Sequence, residues 1–150
     1  MLVRTMSVPG GRVGEAYAQL KKMGLRLTPQ RMAIARYVLS TDSHPTAEEV
    51  YRRVKPQYST ISLATVYSTL DMLTRAGMLR AVTTKDAIRF DSNPSEHVNL
   101  VCMNCGRIVD VNDKSLGELA ERKAGKINFR IVDKQFVLYG YCEDCRASVP

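Results

Sequence analysis

With 150 residues, 45% of them hydrophobic, the chain has material for one ordinary domain or two small ones with real cores, which excludes a disordered polymer. No apolar run is long enough to span a bilayer, and residues 1–12, interrupted by Arg4, Pro9 and two glycines, do not read as an export signal, so a soluble cytoplasmic protein is expected. The net charge of +7 is segregated: residues 1–90 carry fourteen Lys/Arg against six Asp/Glu, residues 91–150 eight against nine, which points to a polyanion partner for the N-terminal part.

In chain order, Val13, Ala16, Leu20 and Met23 fall near the helical period and predict a first helix ended by Gly24. A second begins at "TPQRMAIARYVLS", with Thr28 as N-cap, Pro29 in the first helical position, and Ile34, Val38 and Leu39 facing inward. Thr46 followed three residues later by Glu49 has the spacing of a capping box and opens a third, with Val50, Tyr51 and Val54 apolar. A fourth, expected over 62–76, places Leu63, Val66, Tyr67, Leu70 and Leu73 or Thr74 on one stripe before Gly77. "MLRAVTTKDAIRFD" then reads as two short strands around a polar tip at Thr84 to Asp86.

Short helices followed by a basic hairpin give the order of elements in a winged helix-turn-helix, whose recognition helix enters the major groove. The outward side of the fourth helix, Ser62, Ala64, Thr65, Ser68 and Thr69, is small and polar, and Arg75, Arg80, Lys85 and Arg89 lie in and after it. Residues 91–96, "DSNPSE", read as a linker. Beyond them "HVNLVC", "GRIVDV", "INFRIV" and "QFVLYGYC" predict strands and "SLGELAERKAGK" a helix. A unit of about 50 residues buries little core alone and usually needs a metal or a partner chain.

Its four cysteines form two C-x-x-C pairs, Cys102 with Cys105 and Cys142 with Cys145. Four thiolates satisfy tetrahedral zinc without an open position, which predicts a structural site. The competing reading, a redox dithiol, expects a pair at the start of a helix after a strand in a thioredoxin-like βαβ context, which neither pair shows in sequence. If 97–102 is a strand, His97 and Asn99 face away from Cys102, leaving His97 either an ordinary histidine or part of a second site.

"GLRLTPQR" (24–31), "HPTAEEVY" (44–51), "ISLATVYSTLDML" (61–73), "RFD" (89–91), "HVNLVCMNCGRIVD" (97–110) and "YCEDC" (141–145) together resemble the ferric uptake regulator family of metal-responsive repressors. The resemblance implies an α+β fold: a winged-helix DNA-binding domain over 1–90, a hinge at 91–97, and an α/β dimerisation domain over 98–150 that holds structural Zn(II) on the four cysteines. It implies a homodimer on double-stranded DNA, with a regulatory divalent metal, Fe(II) or Mn(II) ahead of Zn(II) or Ni(II), on His44, Asp91, His97, Asn99 and Asp110. Asn99 departs from the family pattern, which has a histidine there; the neutral carboxamide is a weaker, harder ligand. Asp110 resembles the peroxide-sensing branch. On the DNA side the resemblance assigns Tyr67 to base contact and Arg26 to the minor groove, while Ser68 replaces an arginine common among iron-sensing members. Ser62, Ala64, Thr65, Arg80 and Lys85 complete the expected DNA-facing set. Two other readings remain: a regulator of the same fold that has lost metal sensing, and a thiol oxidoreductase or hydrolytic zinc enzyme.

Overall fold

The computed structural model describes residues 9–148; residues 1–8, on which most of the export-signal reading falls, lie outside the described residues. The chain divides into two compact units. The first runs to Thr83 and takes in Ile88–Ser92; the second consists of Thr84–Ala87 and the chain from Asn93 onward.

In the first unit, helices α1 (Pro9–Lys22), α2 (Pro29–Ser40), α3 (Ala47–Val54) and α4 (Leu63–Arg75) precede strands β1 (Arg80–Thr83) and β2 (Ile88–Asp91). Three of the helix starts are fixed by side chains that satisfy otherwise unpaired N–H groups. Thr28 Oγ1 accepts from Arg31 N at 3.3 Å, and Ser62 Oγ from Thr65 N at 3.1 Å. Thr46 and Glu49 form the full capping box: Glu49 N donates to Thr46 Oγ1 at 3.2 Å, and Thr46 N to Glu49 Oε2 at 2.8 Å.

The helices close over one core that includes Leu20, Ile34, Val38, Val50, Val66, Leu70, Leu73 and Leu79. Full burial of such a side chain contributes about 1.5–3 kcal/mol, so this unit has its own source of stability. Three expectations about the helices fail. Tyr67, placed on the apolar stripe of α4, is exposed. Met23 lies past the end of α1 and is half exposed. Thr69, expected on the outward side of α4, is fully buried; its hydroxyl donates to the Thr65 carbonyl one turn back at 2.7 Å, which removes the penalty of burying it. β1 and β2 pair antiparallel with Arg80 opposite Asp91 and Thr83 opposite Ile88.

The second unit contains β3 (Val98–Cys102), β4 (Ile108–Val111), α5 (Ser115–Gly125), β5 (Phe136–Gly140) and the single turn α6 (Glu143–Arg146). Its sheet has the order β4-β3-β5, β3 antiparallel to β4 and parallel to β5. One side carries the exposed apolar residues Leu100, Val109 and Leu138. The strand expected at 127–132 does not form. Residues 127–135 are irregular although their side chains suit a strand, because β5 takes the place beside β3 and no other described strand pairs with them. Lys134 pins this segment, its Nζ 2.9 Å from Glu96 Oε1 and 2.7 Å from Glu121 Oε1. Gly117 leaves space for that arrangement, since a Cβ there would run into the Glu96 carboxyl. Among the described residues no helix is long and apolar enough to cross a membrane.

Candidate metal centres and DNA face

The parallel pairing of β3 with β5 brings the two cysteine pairs together. Its register sets Cys102 opposite Gly140, two residues before Cys142, so both C-x-x-C turns emerge at the same end of the sheet. Met103 N donates to Gly140 O at 2.8 Å, and Gly106, with φ 71°, closes the first turn through its N–H to Cys102 O at 2.9 Å. Arg107 and Asp144 join the two turns by an exposed ion pair at 2.9 Å.

All four sulfurs lie within 4.8 Å of one another, with Cys105 Sγ 3.8 Å from Cys142 Sγ. A tetrahedron with Zn–S bonds of about 2.3 Å has edges of about 3.8 Å, so the donor set fits zinc. The backbone N–H groups of Cys105 and Cys142 hold the Cys102 thiol down at about 6, which favours the thiolate a metal needs. Cys145 is pulled down by the Asn104 side chain, but Cys142, burial, Cys105 and Cys102 together push it up to about 11. Cys142 stands after β5 as N-cap of the single turn α6, but no described strand follows, so the βαβ context of a redox dithiol does not form. The convergence of all four sulfurs on one point further disfavours redox chemistry.

The remaining expected ligands fall into two groups, one in each unit. In the first unit, His44 lies in the loop before α3 with φ 49°, a left-handed backbone that needs outside support. Strand β2 and Ser92, the residue after it, supply it. Arg89 Nη1 donates to His44 O at 3.0 Å, Phe90 N to Pro45 O at 3.0 Å, and Ser92 Oγ to Thr41 O at 3.2 Å. These bonds set His44 Nε2 3.7 Å from Asp91 Oδ1, both side chains buried. Arg89, expected as a basic residue of the wing, does not face outward. It turns inward, reaching Glu49 Oε2 at 3.4 Å as well as the His44 carbonyl. The signal was present in "RFD": alternation along a strand puts Arg89 on the face of Asp91.

In the second unit, Asn99 and Asp110 are direct cross-strand neighbours, and His97 is two residues before Asn99 on the same face. His97 Nδ1 donates to the Ser95 carbonyl at 2.7 Å, so Nε2 carries the lone pair, and it accepts from Asn99 Nδ2 at 3.1 Å. Asp110 Oδ2 accepts from Asn93 Nδ2 at 3.3 Å. His97 and Asn99 are buried and Asp110 is half-buried.

Of the expected DNA-facing residues, Arg26, Ser62, Ala64, Tyr67, Ser68 and Lys85 are exposed, while Thr65 and Arg80 are half-buried. Ser62 and Thr65 partner each other in the α4 cap, their hydroxyls 2.9 Å apart, and Ser68 donates to Thr65 O at 3.1 Å. Tyr67 donates its hydroxyl to Glu48 Oε1 at 2.6 Å, a contact across α4 and α3 that sequence reasoning missed. This bond lowers the Glu48 pKa and raises that of Tyr67.

The model of the ferric uptake regulator family matches residues 22–139. The chain belongs to the ferric uptake regulator family. The peroxide-responsive repressor of Staphylococcus epidermidis is 38% identical over 133 residues, which span 88% of this chain and 89% of that protein. The peroxide stress regulator of Campylobacter jejuni is 32% identical with a TM-score of 0.70, covering 86% of this chain and 98% of that one. The Helicobacter pylori ferric uptake regulator shares the fold, with a TM-score of 0.79 at 18% identity over 96% of this chain and 97% of that one. Family members are metal-dependent transcription regulators that bind DNA as dimers. The α+β architecture here, a winged helix followed by an α/β dimerisation domain, is theirs.

Proposed function

We propose that this family member is a cytoplasmic repressor whose operator affinity is set by Fe(II) or Mn(II), held jointly by His44 and Asp91 from the first unit and His97, Asn99 and Asp110 from the second. One observation carries the reading. The chain has only two histidines, and each is buried beside an oxygen-bearing side chain from the same expected set: His44 beside Asp91, His97 beside Asn99. Imidazole with carboxylate and carboxamide oxygen, and no thiolate, is a donor set suited to iron or manganese. A metal there supplies the charge that holds ligands of both units together. The proposed division is a DNA-binding domain over 1–90, a hinge over 91–97 and a zinc-containing dimerisation domain over 98–150. Arg26, Ser62, Ala64, Thr65, Tyr67, Ser68, Arg80 and Lys85 face the DNA. We assign it no catalysis, since its four thiols are committed to structural zinc.

Kinship with peroxide-responsive repressors and the aspartate at 110 make peroxide the proposed signal when iron is loaded. A second reading has its own support: Asn99 donates to the one His97 nitrogen left to bind a metal, which favours a regulator that no longer senses metal. A DNA-binding titration with Mn(II), Fe(II) and Zn(II) at fixed salt, with and without peroxide, separates the two. Salt is held fixed because phosphate contacts alone shift affinity by orders of magnitude. Metal-enhanced binding, and oxygen added to His44 or His97 after peroxide in mass analysis, is the expected result. Binding indifferent to all three metals overturns it in favour of the second reading.

A further inference from the structure

We propose that Glu48 is a positioning residue for Tyr67: it fixes the phenol in the orientation that reads the operator and so sets sequence discrimination there. This rests on the reading of Tyr67 as a base-contacting residue. Tyr67 projects from α4 and is 49% exposed, so packing alone does not settle where its ring points. The hydrogen bond to Glu48 settles it, at 2.6 Å and with a carboxylate as acceptor, the stronger class of hydrogen bond.

The mount is itself rigid. Glu48 lies in the first turn of α3, between the capping-box residues Thr46 and Glu49, and Glu49 is gripped by Arg89, which also holds the His44 loop. A group borne on such a turn keeps its place better than one on a loop. The sign of its charge also matters. A carboxylate on a DNA-facing surface opposes phosphate attraction, so Glu48 contributes to discrimination between sequences rather than to affinity for DNA in general.

The test uses the full-length, manganese-loaded dimer at fixed salt. The probes are a duplex enriched by the wild-type protein from a randomised library and a scrambled duplex of the same composition. The readout is the ratio of the two affinities. E48A is expected to lower that ratio about five- to tenfold, within the range of one mismatched contact, while binding to the scrambled duplex stays level or rises. E48Q, which retains an acceptor oxygen, keeps the ratio near wild type although its scrambled-duplex affinity also rises. The double variant E48A/Y67F is no worse than the poorer single variant, because both changes remove the same bond. A wild-type ratio in E48A, a loss in E48Q equal to that in E48A, or additive losses in the double variant overturns the inference. Y67A distinguishes the two levels: a ratio unchanged in Y67A removes the reading of Tyr67 itself, whereas a loss in Y67A with none in E48A removes only the role of Glu48.

Discussion

The two units of this chain are stabilised in different ways. The first closes a continuous helical core that buries Leu20, Leu70 and Leu73, and starts three of its four helices with side-chain caps. The second leaves Leu100, Val109, Leu138, Ile127, Phe129 and Val132 exposed, and its sheet ends in four converging cysteines. The first unit thus has a core of its own, whereas the second leaves apolar surface uncovered and gathers four sulfurs placed for zinc.

That contrast can be broken most forcefully at the zinc site. Structural zinc contributes on the order of 10 kcal/mol in small domains, so Cys102→Ser, or chelation, should dissociate the dimer and expose the amides of β3 and β5. Hydrogen exchange is expected to show α2 to α4 still protected; loss of protection there at the same time would mean that the units are not independent. Next in size, Leu70→Ala removes a fully buried side chain and should destabilise the first unit by about 3 kcal/mol in denaturant titration, with zinc content unchanged.

The third prediction concerns the ligands borne by each unit. His44→Ala and His97→Ala should each weaken the manganese dependence of operator binding at least about tenfold while circular dichroism stays at wild type. A response lost in one variant and kept in the other would assign sensing to a single unit. Smaller again, Thr46→Ala should destabilise the first unit by about 1 kcal/mol through loss of the capping box.

The least effect is a pH dependence. The Glu48 pKa is lowered in the folded chain, chiefly by the Tyr67 hydrogen bond, so this contact contributes fully above the ordinary value of 4.5 and is lost as pH falls through the lowered one. Titration of the Glu48 carboxyl by NMR should show its pKa rise toward 4.5 in Tyr67→Phe.

What the sequence disclosed was mostly local. Thr28 with Pro29, Thr46 with Glu49, and the C-x-x-C turns each act within a few residues, and each forms as its spacing predicts. What escaped depends on neighbours distant in the chain. Arg89 looked like wing charge until the His44 carbonyl and Glu49 stood beside it. Thr69 looked outward because its hydroxyl partner, a backbone carbonyl, leaves no trace in residue identity. Residues 127–132 have the composition of a strand, but pairing needs an edge, and composition does not say which strand occupies it. For the metal ligands, strand parity puts His97 and Asn99 on one face, but that Asn99 donates to His97 depends on side-chain rotamers that parity does not fix.

The parallel pairing of β3 with β5 has a consequence for occupancy on DNA. The 36 residues between the two cysteine pairs form a crossover that must double back before Cys102 can meet Cys142, so the thiolate cluster closes a long loop and not a local turn. On the proposed reading, zinc supply would therefore govern whether two reading heads are tethered at all. Tethering gives the second head an effective concentration of about millimolar over its half-site, and avidity can exceed single-site affinity by about 10²–10⁴-fold. A cell short of zinc would hold intact, folded heads that nonetheless let go of their operators, a loss of repression by dilution rather than by unfolding.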